Sequence, residues 1–439
     1  MSGLEIGLWG FVALLVLLAL RIPIGVAMLV VGMAGYASIG GVAALLNHLK
    51  TETYWRFSSY DLSVIPLFML MGQFAAQAGL SKSLFRAAAA WIGHWRGGIA
   101  MAALGGCAGF STISGSSIAT AATMGKVALP ELERYRYSGA LATGSIAAGG
   151  TLGILIPPSI VLIIYAIMVQ GSVVALFQAA LIPGIIAALG YILTVGVVVR
   201  LQPQAGPAGP RASRAERLAA LAEIWPVLLI FVLVMGGIYV GFFTPTEGAG
   251  VGAAGTFLVA VFQGGMRWRG FVEALIGTAE TTGMIYLIIL GAAMFSAFLG
   301  FTQLPIYAAD WFRDSGLPPL AVLLTMLALY VVLGCVMDSL SMILLTVPIF
   351  WPIISGLDFG MPQGELLLWF GILSLIVVEV GLITPPVGLN VFVINSLAKD
   401  VPMLETYKGV LPFLVSDLAR VALIMAFPGL ALALPGWLA

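Results

Sequence analysis

Charge is what this chain has least of. Asp, Glu, Lys and Arg make up 9% of its 439 residues against 61% hydrophobic ones, and the mean hydropathy is +1.10. A soluble domain carries roughly 25% charged and 45–50% apolar residues, so a water-soluble fold would lack the polar surface to cover itself. The 19 basic and 19 acidic residues cancel, which leaves no basic excess for a nucleic-acid partner. Only two cysteines occur, Cys107 and Cys335, each inside an apolar stretch. That excludes a disulfide framework and a cysteine metal site. No Gly-rich run ends in Gly-Lys-Ser/Thr, so no phosphate-cradling loop for ATP is present. No His/Asp/Glu constellation of the kind a membrane enzyme would need stands at depth, and no Arg stands inside a span as a carboxylate clamp.

What is there is a series of long apolar runs without alternation, such as Leu8–Leu20, Val227–Phe243 and Leu366–Leu382. In lipid the backbone must satisfy its own hydrogen bonds, by helix or closed barrel, and non-alternating runs favour helices. The expectation is an all-α, many-spanning protein embedded in the lipid bilayer and, without a His/Asp/Glu constellation at depth, not an enzyme. No basic residue precedes Leu8, so Leu8–Leu20 reads as a retained span and not a cleaved signal.

One segment breaks the apolar pattern. Arg200 to Glu223 holds Arg200, Arg211, Arg214 and Arg217 with Pro203, Pro207 and Pro210. Its arginines place it in the cytoplasm. Taking 201–223 as the linker divides the chain into halves, 1–200 and 224–439. Arg21, the Lys82/Arg86/Arg96 group, the Lys126/Arg134/Arg136 group, and Arg267/Arg269 fall on the same side, which puts both termini outside. Between two such basic groups lies an apolar, Gly- and Ser-rich segment that must enter and return on one side, a re-entrant hairpin near 97–127. Its counterpart lies near 318–352. Each half then has about five spans and one hairpin, and an odd number of crossings inverts the second half relative to the first. Gly106-Cys107 recurs as Gly334-Cys335, and Pro157-Pro158 as Pro385-Pro386, both at an offset of 228 residues. Inverted repeats with interrupted helices at matching places point to a secondary transporter site.

Each Pro-Pro pair sits within a span. An interior proline removes a hydrogen bond and costs about 3 kcal/mol, so two in succession break the helix and free carbonyls on one side and N–H groups on the other. Carbonyls suit a desolvated Na⁺, and positive helix N-termini suit a carboxylate. The bland reading is a kink. Ser111-Thr112-Ile113-Ser114-Gly115-Ser116-Ser117, near the centre of the first hairpin, supplies oxygen ligands or, equally, close helix packing through small residues. Asp338 lies in the second hairpin, where a carboxylate is costly and should face a cavity, an ion or a partner. Glu247 reads as part of a helix start after Thr244 or Thr246. Glu379, set among valines, has no evident partner.

Ser114-Gly-Ser-Ser-Ile-Ala119, Gly153–Ser159, Phe243-Thr-Pro-Thr-Glu247 and Thr384-Pro-Pro-Val-Gly-Leu-Asn390 together resemble the large membrane (M-type) subunit of tripartite ATP-independent periplasmic (TRAP) transporters, through nearly the whole chain. The resemblance implies a scaffold and a mobile domain carrying both hairpins, elevator-type movement, and a Na⁺ gradient as driving force. It implies two partners, a small four-helix membrane subunit and a periplasmic substrate-binding protein, and a carboxylate substrate. No helix precedes Gly3, so the likeness is to unfused members in the bacterial inner membrane. By the same likeness Ser114, Ser116, Ser159 and Asn390 are expected substrate contacts. Gly115, Pro157, Gly334, Asp338, Thr384 and Gly388 are expected around Na⁺, mostly through backbone oxygens. A stand-alone Na⁺/dicarboxylate symporter is the nearest alternative, and an ion channel a further one. The external loops 47–60 and 302–317, with Trp55, Tyr60, Tyr307 and Trp311, are the expected docking or interface-anchoring surfaces.

Overall fold

The computed structural model describes residues 2–438, and every regular element among them is helical. The apolar runs become helices because only helices satisfy their backbone in lipid, and polar caps mark where they start. The first stretch holds α1 (Gly3–Ala19), α2 (Ile24–Gly40), α3 (Val42–Phe57), α4 (Val64–Gln77) and α5 (Leu80–Ile92). The chain turns 63° between the α4 segment and α5, which carries Lys82 and Arg86. Then come α6 (Gly98–Ser114) and α7 (Ser117–Arg134), which meet at Gly115–Ser116 as the first hairpin. α8 (Gly139–Leu155) and α9 (Ile160–Met168) are one run broken by Pro157-Pro158 and bent by 44°. α10 (Val173–Leu201) closes the first half.

After the linker helix α11 (Arg214–Glu223), the second half opens with α12 (Trp225–Phe231) and α13 (Gly237–Tyr239), joined by a π-helical turn. α14 (Pro245–Phe262), α15 (Trp268–Thr302) and α16 (Leu304–Asp314) follow. α17 (Pro319–Gly334) and α18 (Ser339–Ser355) form the second hairpin, with its tip at 335–338. α19 (Gln363–Gly381) and α20 (Leu389–Leu397) flank the second Pro-Pro break, and α21 (Met403–Ala426) and α22 (Gly429–Leu438) end the chain. Among the described residues, four helices are individually long and apolar enough to cross a membrane, and three bent pairs reach that length and hydropathy only together, as a broken span or a re-entrant turn.

Several details differ from the sequence reading. The loops expected at 47–60 and 302–317 are largely helical, as α3 and α16. An i,i+4 pair, Arg56 Nε to Glu52 Oε1 at 2.6 Å, supports α3 on its polar side. Their aromatics Trp55, Tyr60, Tyr307 and Trp311 remain exposed. The last span is two helices, because Pro428 cannot continue α21. The mid-chain linker is ordered. Gly206 O accepts from Gly97 N (2.8 Å), Ala205 O accepts from Ser138 N (2.9 Å), and Gly209 N donates to Gly93 O (2.9 Å). These bonds hold the linker against the base of the first hairpin. The second part of the linker is α11, started by a Ser213/Glu216 capping box. Thr244, not Thr246, caps α14, again with Glu247 completing the box.

Packing divides into two groupings. α2 runs along α15, and α4 lies against α14 and α15. The first hairpin packs on α8, α8 on α21, and the second hairpin on α19. The two hairpins and both breaks lie in the second grouping, where α8 and α19 are almost wholly buried. Gly334 and Gly381 let the second hairpin touch α19 backbone to backbone. A Cβ on Gly334 would stand 2.8 Å from the Gly381 Cα.

Candidate functional site

The tips of the two hairpins, far apart in sequence, meet at one cavity of about 120 Å³. Gly115, Ser116 and Ser117 come from the first tip, Asp338 and Ser339 from the second, and Thr281 from α15. The local reasons are clear. Gly115 ends α6 with φ at +61°, a backbone state that favours glycine. Ser116 is then extended and caps α7, its Oγ accepting from Ala119 N. Asp338 does the same for α18. Its Oδ2 accepts from Ser341 N at 3.2 Å, and its Oδ1 accepts from the Ser341 hydroxyl.

Ile160 and Val161, the first residues of α9, form another part of the wall. Three helices, α7, α9 and α18, therefore begin at this cavity. A helix N-terminus carries roughly half a positive charge; the cap of each of these helices takes one N–H, and the convergence of the rest favours an anion. Asp338 adds one negative charge beside them and favours a cation. The rest of the wall is apolar, with Met69, Ile118, Ile154, Met284, Ile285 and Leu340, so the polar groups are confined to the tips and to Thr281.

The expected site residues distribute unevenly. Gly115, Ser116 and Asp338 line the cavity. Pro157 and Pro158 lie directly behind the first tip, with Pro158 O 3.1 Å from where a Gly115 Cβ would be. Gly388 N donates to Cys335 O at 3.2 Å, tying the second break to the second tip. Gly388, at φ +57°, starts α20. Thr384 Oγ1 donates back to Val380 O at 2.6 Å. Ser114, Ser159 and Asn390 do not line the cavity. Ser114 Oγ shares a 2.6 Å hydrogen bond with Thr120 Oγ1, and Ser159 is the buried cap of α9. Asn390 Nδ2 reaches Ala147 O at 3.5 Å, and its Oδ1 has no partner among the described residues.

Two features escaped the sequence reading. Glu379 does have partners: Ser117 Oγ donates to its Oε2 at 2.5 Å and Ser339 Oγ to its Oε1 at 2.8 Å. The serines stand directly after the two caps, so the carboxylate touches both hairpins. A carboxylate amid valines at membrane depth was the available signal. An arginine does lie inside a span, away from the cavity. Arg420 of α21 is buried and donates through Nη2 to Asp417 Oδ1 at 2.7 Å. Asp417 Oδ2 accepts from Tyr191 Oη at 2.9 Å, and Tyr191 Oη is 2.9 Å from Thr151 Oγ1. The i,i+3 spacing of Asp417 and Arg420 was legible as one helix face. Arg420 does not line the cavity and is no clamp there.

The family described as "Tripartite ATP-independent periplasmic transporter, DctM component" matches residues 11–430. The C4-dicarboxylate TRAP transporter large permease protein DctM of Pseudomonas aeruginosa is 36% identical over 394 residues, 90% of each chain. The sialic acid TRAP transporter large permease protein SiaM of Vibrio cholerae is 30% identical over 425 residues, covering 95% of this chain and 96% of that one. Among solved structures, the YdaH transporter of Alcanivorax borkumensis aligns with a TM-score of 0.62 at 16% identity, covering 89% of this chain and 90% of that one, a likeness of fold alone. With its apolar helices, the match makes this a multi-pass inner-membrane transport protein. The chain belongs to the DctM component family of tripartite ATP-independent periplasmic transporters, as a large permease subunit.

Proposed function

We propose that this chain imports a small organic acid by Na⁺ symport, as the large permease of a tripartite system. The observation that carries this reading is the meeting of three helix N-termini and Asp338 at one cavity between the hairpin tips. The N-termini receive the substrate carboxylate. Asp338 and the backbone oxygens near Gly115, Pro157, Gly334, Thr384 and Gly388 serve Na⁺. At about 120 Å³ the cavity is smaller than the roughly 300–1,000 Å³ of a drug-sized site. The test substrate comes from a relative, since the Pseudomonas aeruginosa protein is named a C4-dicarboxylate permease.

The grouping of both hairpins with both breaks fits an elevator domain, and α2, α4, α14 and α15 fit the scaffold. The 228-residue offset of the Gly-Cys and Pro-Pro pairs supports two inverted repeats, 1–200 and 224–439. By family membership the scaffold pairs with a small membrane subunit, and a periplasmic binding protein delivers the acid. A relative from Oleidesulfovibrio alaskensis is named an isethionate TRAP transporter permease protein DctMQ, and this chain covers 66% of it.

Uptake of labelled succinate into proteoliposomes holding the complete system is expected to need inward Na⁺ and to rise more steeply than linearly with it. Full uptake in K⁺ buffer with only a proton gradient would reject Na⁺ coupling. The arrangement in the membrane is tested separately. In a variant lacking Cys107 and Cys335, a cysteine at exposed Ala215 keeps the Ser213 cap intact. It should resist an impermeant maleimide in intact cells and react after permeabilisation. Rapid labelling from outside would overturn the cytoplasmic placement of the linker.

A further inference from the structure

We propose that Glu379 fastens the two hairpin tips to each other, so that opening of either tip loosens the other. The proposal rests on reading these tips as the moving gates of the substrate and ion site.

Glu379 belongs to neither hairpin. It lies on α19, at 0% exposure, with one oxygen committed to each tip. Ser117 and Ser339 are its donors, at 2.5 and 2.8 Å, and are 1% and 4% exposed. Both occupy the same local position, the first helical residue after a tip cap, Ser116 in one case and Asp338 in the other. Both also line the cavity, so Glu379 stands behind its wall. No cationic side chain pairs with this carboxylate among the described residues. Its two hydroxyl donors are therefore its main solvation. Losing a buried hydrogen bond shifts an opening equilibrium by up to roughly tenfold, and leaving a buried polar atom unmatched is worse. If the first tip withdraws Ser117, Glu379 loses one of its two anchors and its Oε2 is left unmatched, so the side chain is free to turn towards another donor and away from Ser339. α19 also leads into the second break, where Gly388 N holds Cys335 O. A shift of α19 thus reaches the second tip by two routes. A carboxylate satisfied within one hairpin would have no such consequence.

Cys335 is a native reporter. It sits in the second tip, is 6% exposed, and has no contact with Ser117 in its hydrogen bonding. In the full-length Cys107→Ala protein, purified and assayed without Na⁺, the rate of N-ethylmaleimide reaction at Cys335 reads opening of the second tip. Ser117→Ala, a change confined to the first hairpin, is expected to raise that rate roughly tenfold. Glu379→Met, which also removes the Ser339 bond, should raise it at least as much, and Ser117→Ala should add nothing further in that background. Ser117→Thr, which keeps the hydroxyl, should return the rate towards that of the parent. Elution and melting profiles identify any variant that has lost its fold. A folded Ser117→Ala protein reacting at the parent rate would overturn the proposal. So would effects of Ser117→Ala and Glu379→Met that simply multiply. Protection of Cys335 by Na⁺ in the parent tests the Na⁺ reading on its own, so the two ideas fail separately.

Discussion

Asp338→Asn is expected to cut Na⁺-driven uptake at least tenfold while leaving the protein folded. A unit charge about 4 Å from a bound cation is worth about 4 kcal/mol at an effective dielectric of 20. About a third of that already gives tenfold in affinity. The folding cost is small for a specific reason. Asp338 caps α18 through Oδ2, and Asn caps helices about as well as Asp. The substitution therefore removes the charge and keeps the cap. Asp338→Ala removes both and should add a loss of about 1 kcal/mol of stability. The check is uptake against Na⁺ concentration, with melting curves for each variant. Near-normal uptake by folded Asp338→Asn protein would take Asp338 out of the site.

The second large effect is on the fold. Asp417→Ala is expected to destabilise by about 3–5 kcal/mol, because it strands a buried arginine. Arg420 Nη2 has its 2.7 Å bond to Asp417, but Nε and Nη1 have no partner among the described residues. The mutation would leave the guanidinium only the Tyr191 ring, 5.9 Å away. Replacing the whole pair, as Asp417→Leu with Arg420→Met, should recover most of the loss, since apolar packing often substitutes for a buried ion pair at no net cost. Detergent-solubilised melting curves would show it. A single Asp417→Ala variant melting close to the parent would mean that the pair contributes nothing, and a double variant as unstable as the single would point to shape and not charge.

Much of this site could be read from the sequence because its signals are local. Pro-Pro interrupts a helix wherever it falls, and α8 and α19 both end just before such a pair. Gly115-Ser116 is a stop followed by a start, and Asp338 is a cap by type and place. What could not be read depends on who meets whom. Ser117 and Glu379 are 262 residues apart, and nothing local to either names the other. Arg420 was hidden because it lies in a largely apolar span, and what it meets is split between the Asp417 carboxylate on its own helix and the Tyr191 ring on α10. The misread loops 47–60 and 302–317 carry helix formers mixed with polar residues, so their low hydropathy marked a surface position and not an absence of helix. Ser114 and Ser159 drew notice as hydroxyls near a tip and a break. The structure turns one towards Thr120 and uses the other as a cap.

This large permease is expected to work only within a tripartite system. The direct test is succinate uptake by the purified chain in proteoliposomes under an inward Na⁺ gradient. It is measured alone, then with the small membrane subunit, then with the succinate-loaded binding protein added outside. The account expects background uptake in the first two cases and Na⁺-dependent uptake only in the third. Strong Na⁺-driven uptake by this chain alone would contradict it and favour a stand-alone symporter.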